Sequence, residues 1–279
     1  MSAVGSLRAI ALDRGHVAAI ARREVKTVTR NRGTLVLFVG FSLLLLGFTW
    51  AGGGHASGYV PTVVDLLTPV ELLVPVLAFA IGYRVFVSDR ERGELAVHAT
   101  LPPSRSSIVL GTFLGRGVTL ALGVAAAALP ALVFVVLSGD GTSPIYAAQR
   151  GADSPLLFAR FVAVATLLGL AALAGALAVS AVARSAKSAV GLALGLWAVL
   201  AVGADVGALA ALQRGFLDVG GLPTAVALGP GGAYRGLVFA TVLDAATVEA
   251  TAAVAPAVGV LSLVGWTVVA LAVAAYALW

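Results

Sequence analysis

The chain has few residues able to do chemistry, and they are unevenly placed. The densest cluster is Arg84 to Arg116, RVFVSDRERGELAVHATLPPSRSSIVLGTFLGR, which lies between long apolar runs and holds Arg84, Asp89, Arg90, Glu91, Arg92, Glu94, Arg105 and Arg116. A polar segment of this size between apolar runs must lie in water, and its arginine excess puts it on the cytoplasmic side of a membrane. Pro102 and Pro103 break the stretch, and Ser104 is placed to N-cap a following helix. Two acids stand apart from it. Asp205 falls at the centre of an apolar run, where a carboxylate costs about 2.5–3.5 kcal/mol on insertion scales. It must line a polar path, carry a proton, bind a cation, or accept hydrogen bonds across a helix contact. Glu71 is placed near the outer end of another run, where snorkelling is cheap, and Arg160 reads as an interfacial anchor.

Several chemistries are missing from the sequence. A P-loop needs Gly-Lys-Ser/Thr, because its amides cradle phosphates that the lysine neutralises. The two lysines, Lys26 and Lys187, follow Val25 and Ala186, so the chain has no such ATPase site. With no cysteine, thiolate ligands, cysteine nucleophiles and disulfides are excluded. His16, His55 and His98 are isolated, which argues against a metal site. One deep acid does not make an intramembrane protease dyad.

The elements that position these residues are membrane spans. Hydrophobic residues make up 60% of the chain and charged ones 11%, with a mean hydropathy of +1.02. Soluble domains run at roughly 45–50% apolar and about 25% charged. A span needs about 20 apolar residues, and the sequence predicts six, at 34–50, 66–86, 106–138, 155–182, 186–212 and 256–279. The third exceeds what a bilayer requires and begins before it, with Pro130 placed to kink it. The fold class is therefore all-α integral membrane. Residues 1–33 form a cytoplasmic N-terminal segment, residues 34–279 a six-span domain, and 88–105 a polar segment between the second and third spans.

Lysine and arginine orient the spans. Arg8, Arg14, Arg22, Arg23, Lys26, Arg30 and Arg32 precede the first; Arg84, Arg90, Arg92, Arg105 and Arg116 lie in the charged cluster; Arg184 and Lys187 join the fourth to the fifth. These are fourteen of the 18 basic residues, and six spans with both termini in the cytoplasm put them all on one side. Arg150, Arg160, Arg214 and Arg235 fall in or beside the opposite loops. Tyr276 and Trp279 suit an interfacial anchor at the end of the last span.

Before the first span, HVAAIARREVKTVTR over residues 16–30 puts Val17, Ile20, Ala21, Val25 and Val28 on one helical face and Arg22, Arg23, Lys26 and Arg30 on the other. This reads as an interfacial helix along the inner leaflet. Glu24 projects from the apolar arc, either snorkelling or paired with an arginine of another cytoplasmic segment. The outer loops 51–65 and 139–154 are turn-like in composition, and within 213–255 the run 233–243 reads as a short helix dipping into the outer leaflet. Gly191 and Gly195 form a GxxxG in a chain rich in small residues, which permits close helix approach.

These stretches resemble a family. The run ARREVKTVTRNRG before a span, then Glu91-Arg92-Gly93-Glu94-Leu95, Leu101-Pro102, Ser104-Arg105 and Gly111-Thr112-Phe113-Leu114-Gly115-Arg116, are similar to the permease subunit of ABC-2 type transporters. Thr112 stands where that family commonly has lysine. Trp197 with Asp205, and Gly229-Pro230-Gly231-Gly232-Ala233-Tyr234-Arg235, resemble the branch containing the permease of the copper-processing system for nitrous oxide reductase maturation, with Gly229 in place of that branch's Asn.

The resemblance implies two paired six-helix subunits, each resting on a separate ATPase that carries ATP and Mg. It makes Asp89, Arg90, Glu91, Arg92, Glu94 and Leu95 a coupling helix docked on that ATPase, and Pro230, Tyr234 and Arg235 an outer-loop motif. The chain is then a transporter subunit of the plasma membrane and not itself an enzyme, with a protein outside the membrane as an optional further partner. The substrate is not legible. Copper is not supported by the residues, since the sole Met is Met1 and cysteine is lacking. The competing readings are an ion-coupled carrier using Asp205 and a membrane scaffold without transport.

Overall fold

The computed structural model describes residues 14–93, 104–138, 153–246 and 254–278, and every regular element among them is helical. Helix α1 (Arg14–Arg30) meets α2 (Arg32–Gly52) at an elbow where the Asn31 side chain accepts the Gly33 N–H at 2.8 Å. Helix α3 (Tyr59–Gly82) breaks at Tyr83-Arg84 and resumes as the short α4 (Val85–Glu91). The long α5 (Arg105–Ser138) and α6 (Pro155–Val182) follow. Then α7 (Ala186–Ala198) passes through a π turn, Val199–Gly203, into α8 (Ala204–Gln213). Two short helices come next, α9 (Leu222–Ala227) and α10 (Pro230–Val238). A second π turn (Phe239–Leu243), the one-turn α11 (Asp244–Ala246) and α12 (Pro256–Ala277) complete the described chain. Among the described residues six helical stretches are long and apolar enough to cross a bilayer: α2, α3 with α4, α5, α6, α7 through α8, and α12.

Helix limits lie within two residues of the apolar runs read in the sequence except in the second, whose helix starts at Tyr59 instead of 66. The supposed outer loop 51–65 shrinks to a turn around Gly53 and Gly58, whose φ angles of 79° and 127° suit glycine. The reason is a cap from afar. The Asp153 carboxylate accepts the N–H groups of Tyr59 and Val60, each at 2.9 Å, satisfying donors that a helix start leaves orphaned. Asp65 lies inside α3 and reaches back to the Gly54 N–H at 2.8 Å.

Helix α6 is the centre of the bundle, buried along most of its length and packed by α3, α5 and α12. Glycine sets the approach: a Cβ on Gly82 would lie 2.6 Å from Ala176 Cβ. The same device places α1. Helix α5 is about 51 Å long at 1.5 Å per residue, against roughly 30 Å of hydrocarbon, and α1 packs along it. Gly111 and Gly115 receive Ile20 and Ala21 so closely that a Cβ would come within 2.7 and 2.5 Å of them. The apolar face of α1 is therefore covered by α5. Gly191 and Gly195, by contrast, have nothing within 4 Å of an added Cβ, so among the described residues no helix packs closely on the fifth span's GxxxG.

Candidate functional site

Polar side chains converge in two places. The first is the basic end of the bundle, where α4, the α6–α7 turn and the end of α12 meet. Helix ends leave carbonyls without partners and carry partial negative charge. Arg90 answers three of them, donating to the carbonyls of Ala183 at 2.6 Å, Ala181 at 2.9 Å and Leu278 at 3.2 Å. Glu91 serves the opposite kind of end, accepting the Ala186 N–H at the first residue of α7 at 3.0 Å. Ser180 of α6 accepts the Phe86 and Val87 N–H groups at 2.9 and 3.3 Å. Asp89 pairs with Arg92 at 2.7 Å, and the Arg92 side chain reaches outward. Ser104 caps α5 by accepting the Ser107 N–H at 3.1 Å. Glu94 and Leu95 lie outside the described residues. Of the six residues expected to dock a partner, Arg90 and Glu91 are thus engaged with this chain's own helix ends.

Beside this knot sits Glu24, only 4% exposed on the buried face of α1. Arg116 of α5 donates to it through Nε at 2.8 Å and, through a second nitrogen, to the Ile81 carbonyl at the end of α3. The structure thus has the ion pair rather than snorkelling for Glu24. Arg23 approaches the same carboxylate at 3.6 Å, while Lys26 and Arg30 are exposed.

The second place lies deeper. Arg235 of α10 donates to Glu71 Oε1 of α3 at 2.5 Å and to both oxygens of Asp205 of α8, at 2.7 and 2.6 Å. Two expectations are corrected by this. Glu71 is midway along α3 and not near its outer end, because that helix begins earlier than expected. Asp205 is in the last third of the Ala186–Gln213 span, not at its centre. The chain therefore has two embedded acids sharing one guanidinium, with side-chain exposures of 6% for Glu71, 37% for Asp205 and 29% for Arg235. With two carboxylates ionised the triad carries one net negative charge.

The glycine-rich motif makes this possible. The helical stretch begins at Pro230, whose fixed φ suits a helix start, and not at 233 as expected. A Cβ on Gly231 would sit 2.4 Å from Glu71 Oε1, and one on Gly229 would sit 2.1 Å from Ala204 Cβ. Backbone can approach α3 and α8 this closely only without side chains. Tyr234 is wholly buried, its ring centroid 6.4 Å from that of Phe161 and its hydroxyl donating to the Leu67 carbonyl at 3.3 Å. Trp197 donates to the Leu72 carbonyl at 3.3 Å, one residue from Glu71. The π turn at Val199–Gly203 interrupts the span just before Asp205, a distortion often found at functional positions. The sequence did hold a signal for the triad: Arg235 runs against the charge sorting.

Residues 18–278 match the family described as ABC-2 family transporter protein. The chain belongs to that family. It is similar to the probable ABC transporter permease protein NosY of Pseudomonas aeruginosa, 36% identical over 229 residues, which covers 78% of this chain and 80% of that one. It is similar also to the probable ABC transporter permease protein NosY of Stutzerimonas stutzeri, 33% identical over 229 residues, covering 77% and 78%. The protein is a transporter permease subunit and a multi-pass protein of the plasma membrane. In this permease α3 is common to both charge assemblies: Ile81 at its basic end accepts from Arg116, and Glu71 midway accepts from Arg235.

Proposed function

We propose that this permease is the membrane half of an ATP-driven transporter and is moved by a separate ATPase that seats on the α4 segment. ATP and Mg belong to that partner. The basic end faces the cytoplasm with both termini, and two copies pair to form the transmembrane unit. The supporting observation is the Arg90 knot. Its bonds to Ala181, Ala183 and Leu278 join α4 to the ends of α6 and α12. A displacement of α4 therefore reaches several spans together. Helix α3, which α4 nearly continues, carries the motion to Glu71 and through Arg235 to α8 and α10. The work done is export or mechanical transmission to a protein outside the membrane. An ion-coupled carrier centred on Asp205 is less well supported, since both carboxylate oxygens already accept from Arg235.

Co-purification of the ATPase with the permease tests the seat. Replacing Glu91 and Glu94 by lysine adds like-charge repulsion and should release the ATPase, whereas the alanine pair should cost less. Arg90→Ala should keep the ATPase bound yet uncouple hydrolysis from transport. If all three variants retain the ATPase and transport equally, the segment is a spacer and the reading fails. Orientation is checked in the cysteine-free background. An impermeant thiol reagent on intact cells should label Ser57→Cys and spare Ser106→Cys; the reverse pattern inverts the topology.

A further inference from the structure

A groove of about 370 Å³ runs from the α1–α2 elbow between α2 and α5, lined among others by Val25, Thr29, Leu35, Phe38, Leu122 and Ala126. Small-molecule and lipid-chain sites begin at roughly this size. Three of its four hydroxyls are already used. Thr29 donates to the Val25 carbonyl at 2.7 Å, Ser42 to Ala127 at 3.0 Å and Thr119 to Gly115 at 3.1 Å. The wall is therefore apolar apart from Thr34, which lies beside the elbow. Leu35, Val39 and Leu122 are 53%, 59% and 65% exposed, so the groove opens sideways where a bilayer would lie.

The mouth is of the opposite character. Arg22 and Lys26 lie on the flank of α1 that continues from Val25 and Thr29, and Arg30 and Arg32 bracket the elbow itself; all four are exposed. Among the described residues none of the four has a carboxylate partner. The nearby acid, Glu24, is turned into the protein onto Arg116. An apolar slot capped by uncompensated cations matches a molecule with a hydrocarbon tail and an anionic head. A second copy of the chain fits badly, because a two-fold contact here would bring like charges together.

We infer that this groove is a binding site for an anionic phospholipid, with one acyl chain between α2 and α5 and the headgroup phosphate on Arg22, Lys26, Arg30 and Arg32. Basic clusters next to a span gain roughly fivefold in partition per residue near an anionic surface. Even if only two of the four contribute fully, the site should prefer the anionic lipid by at least about tenfold over a zwitterionic one. The inference is independent of the ATPase seat.

The test uses the full chain reconstituted in nanodiscs with a bimane label on Val39→Cys in the groove. The control label is on Val268→Cys, which is equally exposed at 59% but lines an apolar groove between α5, α6 and α12. Brominated phosphatidylglycerol and brominated phosphatidylcholine are titrated as quenchers. The expected result is an order-of-magnitude preference for phosphatidylglycerol at Val39 and none at Val268. Replacing the four basic residues by glutamine should abolish it, and so, independently, should the groove-filling Leu122→Trp. Equal quenching by the two lipids at Val39 overturns the proposal, as does equal preference at both labels, which would mark general surface attraction. Millimolar inorganic phosphate should not displace the lipid; if it does, the cations form a free-anion site and the lipid assignment falls.

Discussion

The basic-end knot and the embedded triad are each built on one arginine, but Arg90 and Arg235 solve different problems. Arg90 meets neutral acceptors, the carbonyls left over where α6 and α12 end. These acceptors bring no formal negative charge, which is tolerable where helices emerge from the membrane. Arg235 meets two carboxylates midway along α3 and late in the fifth span. There an unpaired charge of either sign is expensive, and the ion pairs exist chiefly because each partner would be worse off alone. Helix-end satisfaction is thus the logic of one end, and ion pairing that of the interior.

The comparison can be broken most severely at Arg235. Arg235→Leu strands a nearly buried Glu71, and removing one partner of a buried pair typically costs about 3–5 kcal/mol. Thermal unfolding in detergent should show the largest fall of any single substitution here, and the triple variant with leucine at Glu71, Asp205 and Arg235 should recover most of it. Failure of the triple to recover would mean that the triad holds shape through its hydrogen bonds and not merely by neutralisation.

Arg90→Ala leaves three carbonyls wanting, but at a helix end that water can reach, so about 1–3 kcal/mol is expected. Arg90→Lys should recover part of it. A loss as large as that of Arg235→Leu would show the knot to be as dry as the triad.

The smallest effect is predicted within the triad. Asp205 is the less enclosed of the two acids, and an asparagine there keeps an oxygen that accepts from Arg235 while Glu71 still pairs with it, so Asp205→Asn should cost only about 1 kcal/mol. Glu71→Gln, at a side chain 6% exposed, should cost more. The ranking is read from the same melting experiment, and its inversion would place the weight of the triad on α8 instead of α3.

Much of this was legible in the residues. Apolar runs of sufficient length define six spans because each must cross the same thickness of hydrocarbon, and five of them start within two residues of expectation. The helix before the first span and the cap at Ser104 were also visible, since these are properties of local spacing, whereas the glycine-rich motif at Gly229 to Gly232 stood out only through its resemblance to a family. What tertiary structure alone decided is partnership. Asp153 caps a helix almost a hundred residues earlier in the chain, and Glu24 finds Arg116 across a similar separation. Glu71, Asp205 and Arg235 come from three different elements. A single sequence records that each of these charges needs compensation, because desolvation is a property of its surroundings in the chain. Which opposite charge supplies it depends on which helices pack together, and that is set by glycine contacts and side-chain shape across the whole bundle.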